Sequence, residues 1–288
     1  MNNLTKYLSV FFSILILASC GETAPKEENS EEPKKEVEVE EVVEAKVKGE
    51  EVVYSSAETE MKGYVAYDEN KTGDRPGILV VHEWWGHTDY VRERADMLAE
   101  LGYVALAVDM YGDGQTAEHP DDAQKFSGMV MKNMDDSKAK FQAAYDMLKN
   151  HPEVADENIS AIGYCFGGSV ILAMANAGMD LDGVAAFHSG VQVPVPPGED
   201  LKAKVLIQNG GDDPFISDES VQTFKTRMDE IDKPYEYIEY PGVVHGYTNP
   251  GATENGEKFD LPLAYDAEAD EKSWNKLQEF LNGLYGEQ

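Results

Sequence analysis

The run Gly163-Tyr164-Cys165-Phe166-Gly167-Gly168 sets a cysteine between glycines, with the Gly-x-Cys-x-Gly spacing of a sharp strand-to-helix turn that pushes a nucleophile into a cleft. Glycines carry no Cβ, so such a turn can approach its neighbouring strands closely. A helix beginning directly after Cys165 favours thiolate and aims the Phe166 backbone N–H at a developing oxyanion. A buried structural cysteine is the plain alternative. A nucleophile in this setting calls for an orienting acid and then a histidine, each after a later strand. Asn209-Gly210-Gly211-Asp212-Asp213-Pro214-Phe215 offers two adjacent acids. The Gly210-x-x-Asp213-Pro214 spacing favours Asp213 and leaves Asp212 as a turn residue, though Asp212 stays open as the alternative. Pro241-Gly242-Val243-Val244-His245-Gly246-Tyr247 offers His245 on a Gly-flanked loop. In this trio His245 takes the thiol proton, Asp213 fixes its tautomer, and Cys165 attacks an acyl carbon.

Those residues need a scaffold that brings three distant loops to one edge. Short, almost wholly apolar runs at 77–82, 103–108, 159–163, 183–187 and 205–208 are too short for buried helices and suit strands covered on both faces. Two strand-like runs at 52–57 and 61–67 predict an antiparallel opening hairpin, and 235–240 a last strand. Helical patterns at 91–100, 121–150, 167–177, 218–231 and 267–284 lie between and after them. The alternation predicts an α/β fold: a mostly parallel sheet with right-handed crossovers, helices on both faces, and an antiparallel hairpin at its start. Loops at the C-terminal edge of such a sheet carry its chemistry. Neither an internal repeat nor a second domain is visible.

The 288 residues carry 24 Lys plus Arg against 55 Asp plus Glu, a net charge of −31, with 42% hydrophobic residues and two cysteines. That is enough apolar material for one large core. The acidic excess opposes nucleic-acid partners, and two cysteines cannot build a disulfide framework or a Cys-rich zinc site. The histidines at 82, 87, 119, 151 and 188 are scattered without metal-ligand spacing, and the Met-rich stretch 129–147 reads as core packing. No metal or cofactor is expected.

The first residues read as a targeting segment, with Lys6 followed by an 11-residue apolar run from Leu8 to Ala18, too short to span a bilayer as a helix. It ends in Leu17-Ala18-Ser19-Cys20-Gly21, which resembles a bacterial lipobox. Residues 1–19 are accordingly expected to be a lipoprotein signal, with Cys20 lipidated. Residues 21–53, with 12 Glu and 5 Lys, are expected to be an extended acidic tether ending at 53. Removing these charges and Lys6 from −31 leaves −25 on 54–288, the expected folded domain. The mature protein is expected in a bacterial cell envelope, touching the membrane through its lipid anchor only, as a monomer.

The first parallel strand ends in Val81-His82-Glu83-Trp84-Trp85-Gly86, and the Trp84 N–H is the candidate second oxyanion donor. Together with Asp109-Met110-Tyr111-Gly112, Asp212-Asp213-Pro214-Phe215, His245-Gly246-Tyr247 and the cysteine turn, this stretch closely resembles the dienelactone hydrolase family, over about residues 55–285. The nucleophile, acid and histidine also follow in the α/β-hydrolase order. The resemblance implies an α/β-hydrolase fold and an esterase or lactonase working through an acyl-thioenzyme. It also implies that Glu83 contacts the resting thiol and controls its activation. Trp85, Tyr111, Phe215 and Tyr247 are the expected pocket residues. Family members that take dienelactones hold the substrate carboxylate with arginines; here the corresponding stretches Tyr111-Gly112-Asp113-Gly114 and His245-Gly246-Tyr247-Thr248-Asn249 contain none. A small ester or lactone is therefore the expected substrate, without a commitment to dienelactone. The competing readings are a lipid-anchored binding module that keeps the scaffold without turnover, and a thioesterase or peptidase on the same triad.

Overall fold

The computed structural model describes residues 44–57 and 59–288. Within them the chain runs β1 (Val47–Ser56), β2 (Thr59–Asp68), β3 (Arg75–Val81), α1 (Asp89–Glu100), β4 (Val104–Val108), α2 (Pro120–Lys132), α3 (Met134–Lys149), β5 (Val154–Tyr164), α4 (Phe166–Asn176), β6 (Gly183–Phe187), β7 (Lys204–Gly210), α5 (Asp218–Glu230), β8 (Tyr235–Tyr240), α6 (Ala252–Phe259) and α7 (Ala267–Tyr285). The strands form one sheet in the order β1-β2-β4-β3-β5-β6-β7-β8. β1–β2 and β2–β4 pair antiparallel, and every later pairing is parallel.

The continuous apolar strands are explained by their two covered faces. Along β3, Leu79 and Val81 point into a core shared with residues of α3, α4 and α5, whereas Ile78 and Val80 point into a second core with α1 and α7. Period-2 alternation therefore sends every other side chain to each layer, and neither layer tolerates a polar face. Helix starts follow local chemistry: Ser217 Oγ accepts from Ser220 N–H at 3.2 Å, and Asp266 Oδ1 from Ala269 N–H at 2.9 Å.

Two sequence expectations are corrected. β1 begins at Val47, so residues 47–53, assigned to the tether, belong to the opening hairpin and pair with β2 from Asp68 to Lys62. The 121–150 helix is two helices, broken at Asn133, whose φ of −117° and ψ of 72° are not helical. A short helix, α6, lies in a stretch to which the sequence assigned no element. The lipobox, Cys20 and the tether up to residue 43 lie outside the described residues. Among the described residues, no helix is long and apolar enough to cross a membrane.

Candidate active site

β5 delivers Cys165 into the turn, and α4 starts with the next residue. Cys165 has φ 54°, ψ −116°, a left-handed conformation that costs a non-glycine residue on the order of 1–3 kcal/mol. Its own N–H, bonded to Phe187 O at 2.9 Å, pins it to β6. The flanking glycines are required by close approach. A Cβ on Gly163 would collide with the Gly167 backbone, and one on Gly167 with the carbonyls of Val81, the last residue of β3, and His82 just beyond it. The turn thus packs directly against the end of the strand that leads into Trp84.

Asp213 and His245 meet as expected: His245 Nδ1 donates to Asp213 Oδ2 at 2.7 Å, and Asp213 Oδ1 accepts from the Phe215 N–H at 2.9 Å. Asp213 is buried, while Asp212 is exposed in the turn. Cys165 lines the same cavity as His245. Burial works to depress the imidazolium, but the neighbouring Cys165 sulfur and the bond to Asp213 outweigh it, pushing His245 up to about 10. The loop itself is clamped from outside, with Ala264 N–H donating to His245 O at 3.1 Å and Asp266 N–H to Tyr247 O at 3.0 Å.

At the end of β3, the backbone N–H groups of Trp84 and Phe166 enter none of the turn, loop or cap hydrogen bonds. Tyr111 O–H donates to Trp84 O at 2.8 Å and so fixes the peptide that follows Trp84. Asp109 gathers the N–H groups of Tyr111, Gly112 and Gly114 at 2.7–3.0 Å, a clamp that shapes the Asp-Met-Tyr-Gly turn. His82 is fixed as the neutral Nδ1–H tautomer, because its Nε2 accepts from Met110 N–H at 3.3 Å while Nδ1 meets Glu83 O at 2.6 Å. Burial drives its pKa down to about 4.

Glu83 has a different partner from the one expected. Its Oε2 accepts from Asn249 Nδ2 at 2.6 Å, and the described hydrogen bonds include none to Cys165. Burial raises its carboxyl above the usual range, against the Asn249 bond and the charges of His245 and Arg94. His188, singled out in sequence only for its lack of metal spacing, lies edge-on to the His245 ring at 5.1 Å. Its Nε2 pairs with Thr248 Oγ1 at 2.7 Å, and burial holds it neutral, well below the ordinary value.

Cys165 and His245 open into a cavity of about 350 Å³ bounded by Trp84, Phe166, Phe215 and Leu263. Its remaining wall is a face of α2, residues Gln124, Ser127, Gly128 and Met131, spaced i, i+3, i+4, i+7. Of the expected pocket residues only Phe215 lines it, with its ring 5.0 Å from that of His245. Trp85 instead packs with Ala117, Ala123 and Phe259, Tyr111 lies behind Trp84, and Tyr247 is fully buried with its hydroxyl on Gln208 O at 3.1 Å. Each was placed in the pocket by its position in a motif, and each is held away from it by a neighbour the motif does not contain. The reading of the Met-rich stretch as core holds for Met131, Met134 and Met147, which pack against it, but not for exposed Met129; Met131 also lines the cavity.

A model of the dienelactone hydrolase family matches residues 61–284. The chain belongs to that family. A solved dienelactone hydrolase-like promiscuous phosphotriesterase from metagenomic libraries is 32% identical with a TM-score of 0.77, over 83% of this chain and 99% of its own. "Protein usf" of Aquifex pyrophilus is 29% identical over 224 residues, 76% of this chain and 94% of that protein. A protein of Aquifex aeolicus provisionally named a carboxymethylenebutenolidase is 27% identical, over 70% of this chain and 87% of its own length. The fold is that of the α/β-hydrolases, and the chain is a hydrolase of the carboxylic ester and lactone class.

Proposed function

We propose that the hydrolase works through Cys165, His245 and Asp213 by way of an acyl-thioenzyme. The observation that carries this reading is His245, held by Asp213 on one nitrogen and lining, together with Cys165, the same apolar cavity. The thiolate adds to the ester carbonyl carbon, and the oxyanion is met by the Phe166 and Trp84 N–H groups. Collapse expels the alcohol, which takes a proton from the His245 imidazolium, leaving a thioester on Cys165. Water, deprotonated by His245, then attacks the thioester; the carboxylic acid departs and the thiol is restored. Glu83 sets the resting reactivity of the thiol by charge through the buried site rather than by contact.

The test is a panel of short-chain aryl esters and small lactones on purified wild-type and Cys165→Ala protein. Turnover that falls at least a thousandfold in Cys165→Ala is expected. No Cys165-dependent turnover would favour the lipid-anchored binding module. Aryl thioesters and amides in the same panel separate a thioesterase or peptidase, and a neutral aryl phosphotriester is included because the 32% identical solved relative is named for that activity.

The same reading places the enzyme in a bacterial envelope, held by acyl chains on Cys20. It rests on Leu17-Ala18-Ser19-Cys20 and the acidic stretch that follows. Labelled fatty acid is expected to enter the full-length chain and to be absent from Cys20→Ala; label retained in that variant contradicts the anchor.

A further inference from the structure

No lysine or arginine lines the cavity. Of its polar residues, Ser127 spends its hydroxyl on Ala123 O at 2.7 Å, and Ser169 spends its own on Gly190 O at 3.0 Å. Gln124 is the other polar wall residue apart from the catalytic pair, and it stands on α2 with an exposed side chain. Away from His245 and the oxyanion N–H groups, a substrate carboxylate would meet only the Gln124 amide and would lose most of its hydration for that one neutral donor. The site lies in a domain of strong negative charge, which adds to that cost.

Gly128 stands out within this wall. It lies inside α2, where glycine is disfavoured relative to alanine, yet no heavy atom lies within 4 Å of where its Cβ would be. Packing against another element therefore does not explain it. Its missing side chain leaves space on the cavity face of the helix, between Gln124 and Met131. The volume of about 350 Å³ holds about a dozen non-hydrogen atoms at the ~30 Å³ share of one water.

We infer that this cavity receives the aliphatic arm of an uncharged ester, and that Gly128 sets the length of arm it admits. The inference rests on the proposed Cys165 chemistry for its orientation, since the arm extends from the carbonyl at Cys165 towards α2. Each methylene that enters the cavity raises kcat/KM about fourfold, until the space is filled. A side chain at 128 occupies the same space and removes that gain.

The test compares wild type, Gly128→Ala and Gly128→Leu on p-nitrophenyl esters of two to ten acyl carbons, on alkyl acetates of rising alcohol length, and on the p-nitrophenyl monoester of glutaric acid. The wild type is expected to favour octanoate over acetate by at least tenfold and to discriminate against the glutarate monoester by at least tenfold relative to pentanoate. Gly128→Leu is expected to lower the ratio of long-chain to acetate turnover at least tenfold in one of the two series, and Gly128→Ala to lower it by a few fold. Both substitutions raise helix propensity, and thermal unfolding checks that each is folded. Binding of methyl octanoate to Cys165→Ala, followed by tryptophan fluorescence with and without Gly128→Leu, reads the cavity without turnover. Leucine is expected to weaken that binding at least tenfold. If no ester is turned over but leucine still weakens binding, the catalytic reading fails and the pocket stands. If chain-length ratios and binding are unchanged by leucine, or the glutarate monoester is preferred, the pocket inference is overturned.

Discussion

His245 and His82 stand beyond the ends of two strands of the same sheet, and both are buried. His82 meets only the backbone, Glu83 O on one side and Met110 N–H on the other, and burial brings its pKa down to about 4. His245 meets a carboxylate and a sulfur and is raised to about 10. Burial opposes the charge on both; Asp109 is near enough to act on His82, but only His245 is hydrogen-bonded to an anion. A ring between neutral partners is a structural brace, whereas one between Asp213 and Cys165 can hold a proton and release it.

The largest expected effect breaks the pair at the base. His245→Gln should reduce kcat about a thousandfold with the fold intact, measured by ester turnover and thermal unfolding. His82→Phe keeps a ring against Tyr111 and Phe166 but loses both hydrogen bonds. It should cost about 2–4 kcal/mol of stability in denaturant titrations, with the catalytic step affected far less.

Replacing the anion while keeping its shape sharpens the contrast. Asp213→Asn should lower kcat by about a hundredfold or more, because an amide no longer fixes the tautomer His245 needs. Asp212→Asn, on the exposed side of the turn, should stay within about twofold.

The two rings should also titrate in opposite senses. His82 folds with a depressed pKa, so its contribution is present above its unfolded value of 6.5 and is lost as pH falls through about 4, amounting to roughly 3 kcal/mol. His245 folds with a raised one, so its contribution is present below 6.5 and is lost as pH rises through about 10. Unfolding free energies followed from pH 7 to 4 should fall in the wild type and fall less steeply in His82→Phe.

The smallest effect concerns Glu83. Glu83→Gln removes a buried negative charge from the neighbourhood of the thiol and should speed alkylation of Cys165 by iodoacetamide about threefold near neutral pH, with slower ester turnover. Unchanged alkylation and unchanged turnover would reduce Glu83 to a partner of Asn249.

The contrast between the rings also marks what can be read from sequence. The placement of Cys165 and Asp213 was legible because they sit in turns whose glycines are forced by backbone contact, as at Gly163, Gly167 and Gly210, while His245 precedes Gly246 at φ 77°. The sheet was legible because strands covered on both faces admit few polar residues. The wall of the cavity was not legible: α2 and α3 join at a single non-helical residue, Asn133, so their pattern runs on as one helix, and Met131 resembles the core methionines around it. α6 was hidden because Gly256 interrupts its helical pattern. That glycine is explained only by the Leu263 carbonyl pressed against the helix. Tyr111 and Tyr247 look like pocket residues in their motifs, and only the folded chain brings their hydroxyls to Trp84 O and Gln208 O.

The central claim is that the acyl group passes through sulfur, and mass spectrometry of acid-quenched enzyme tests it most directly. During turnover of a p-nitrophenyl ester, the intact mass should rise by one acyl group. Peptide mapping should place that group on Cys165, and it should be absent from Cys165→Ala. Steady turnover with no acyl group on Cys165, or turnover retained in Cys165→Ala, would contradict the account.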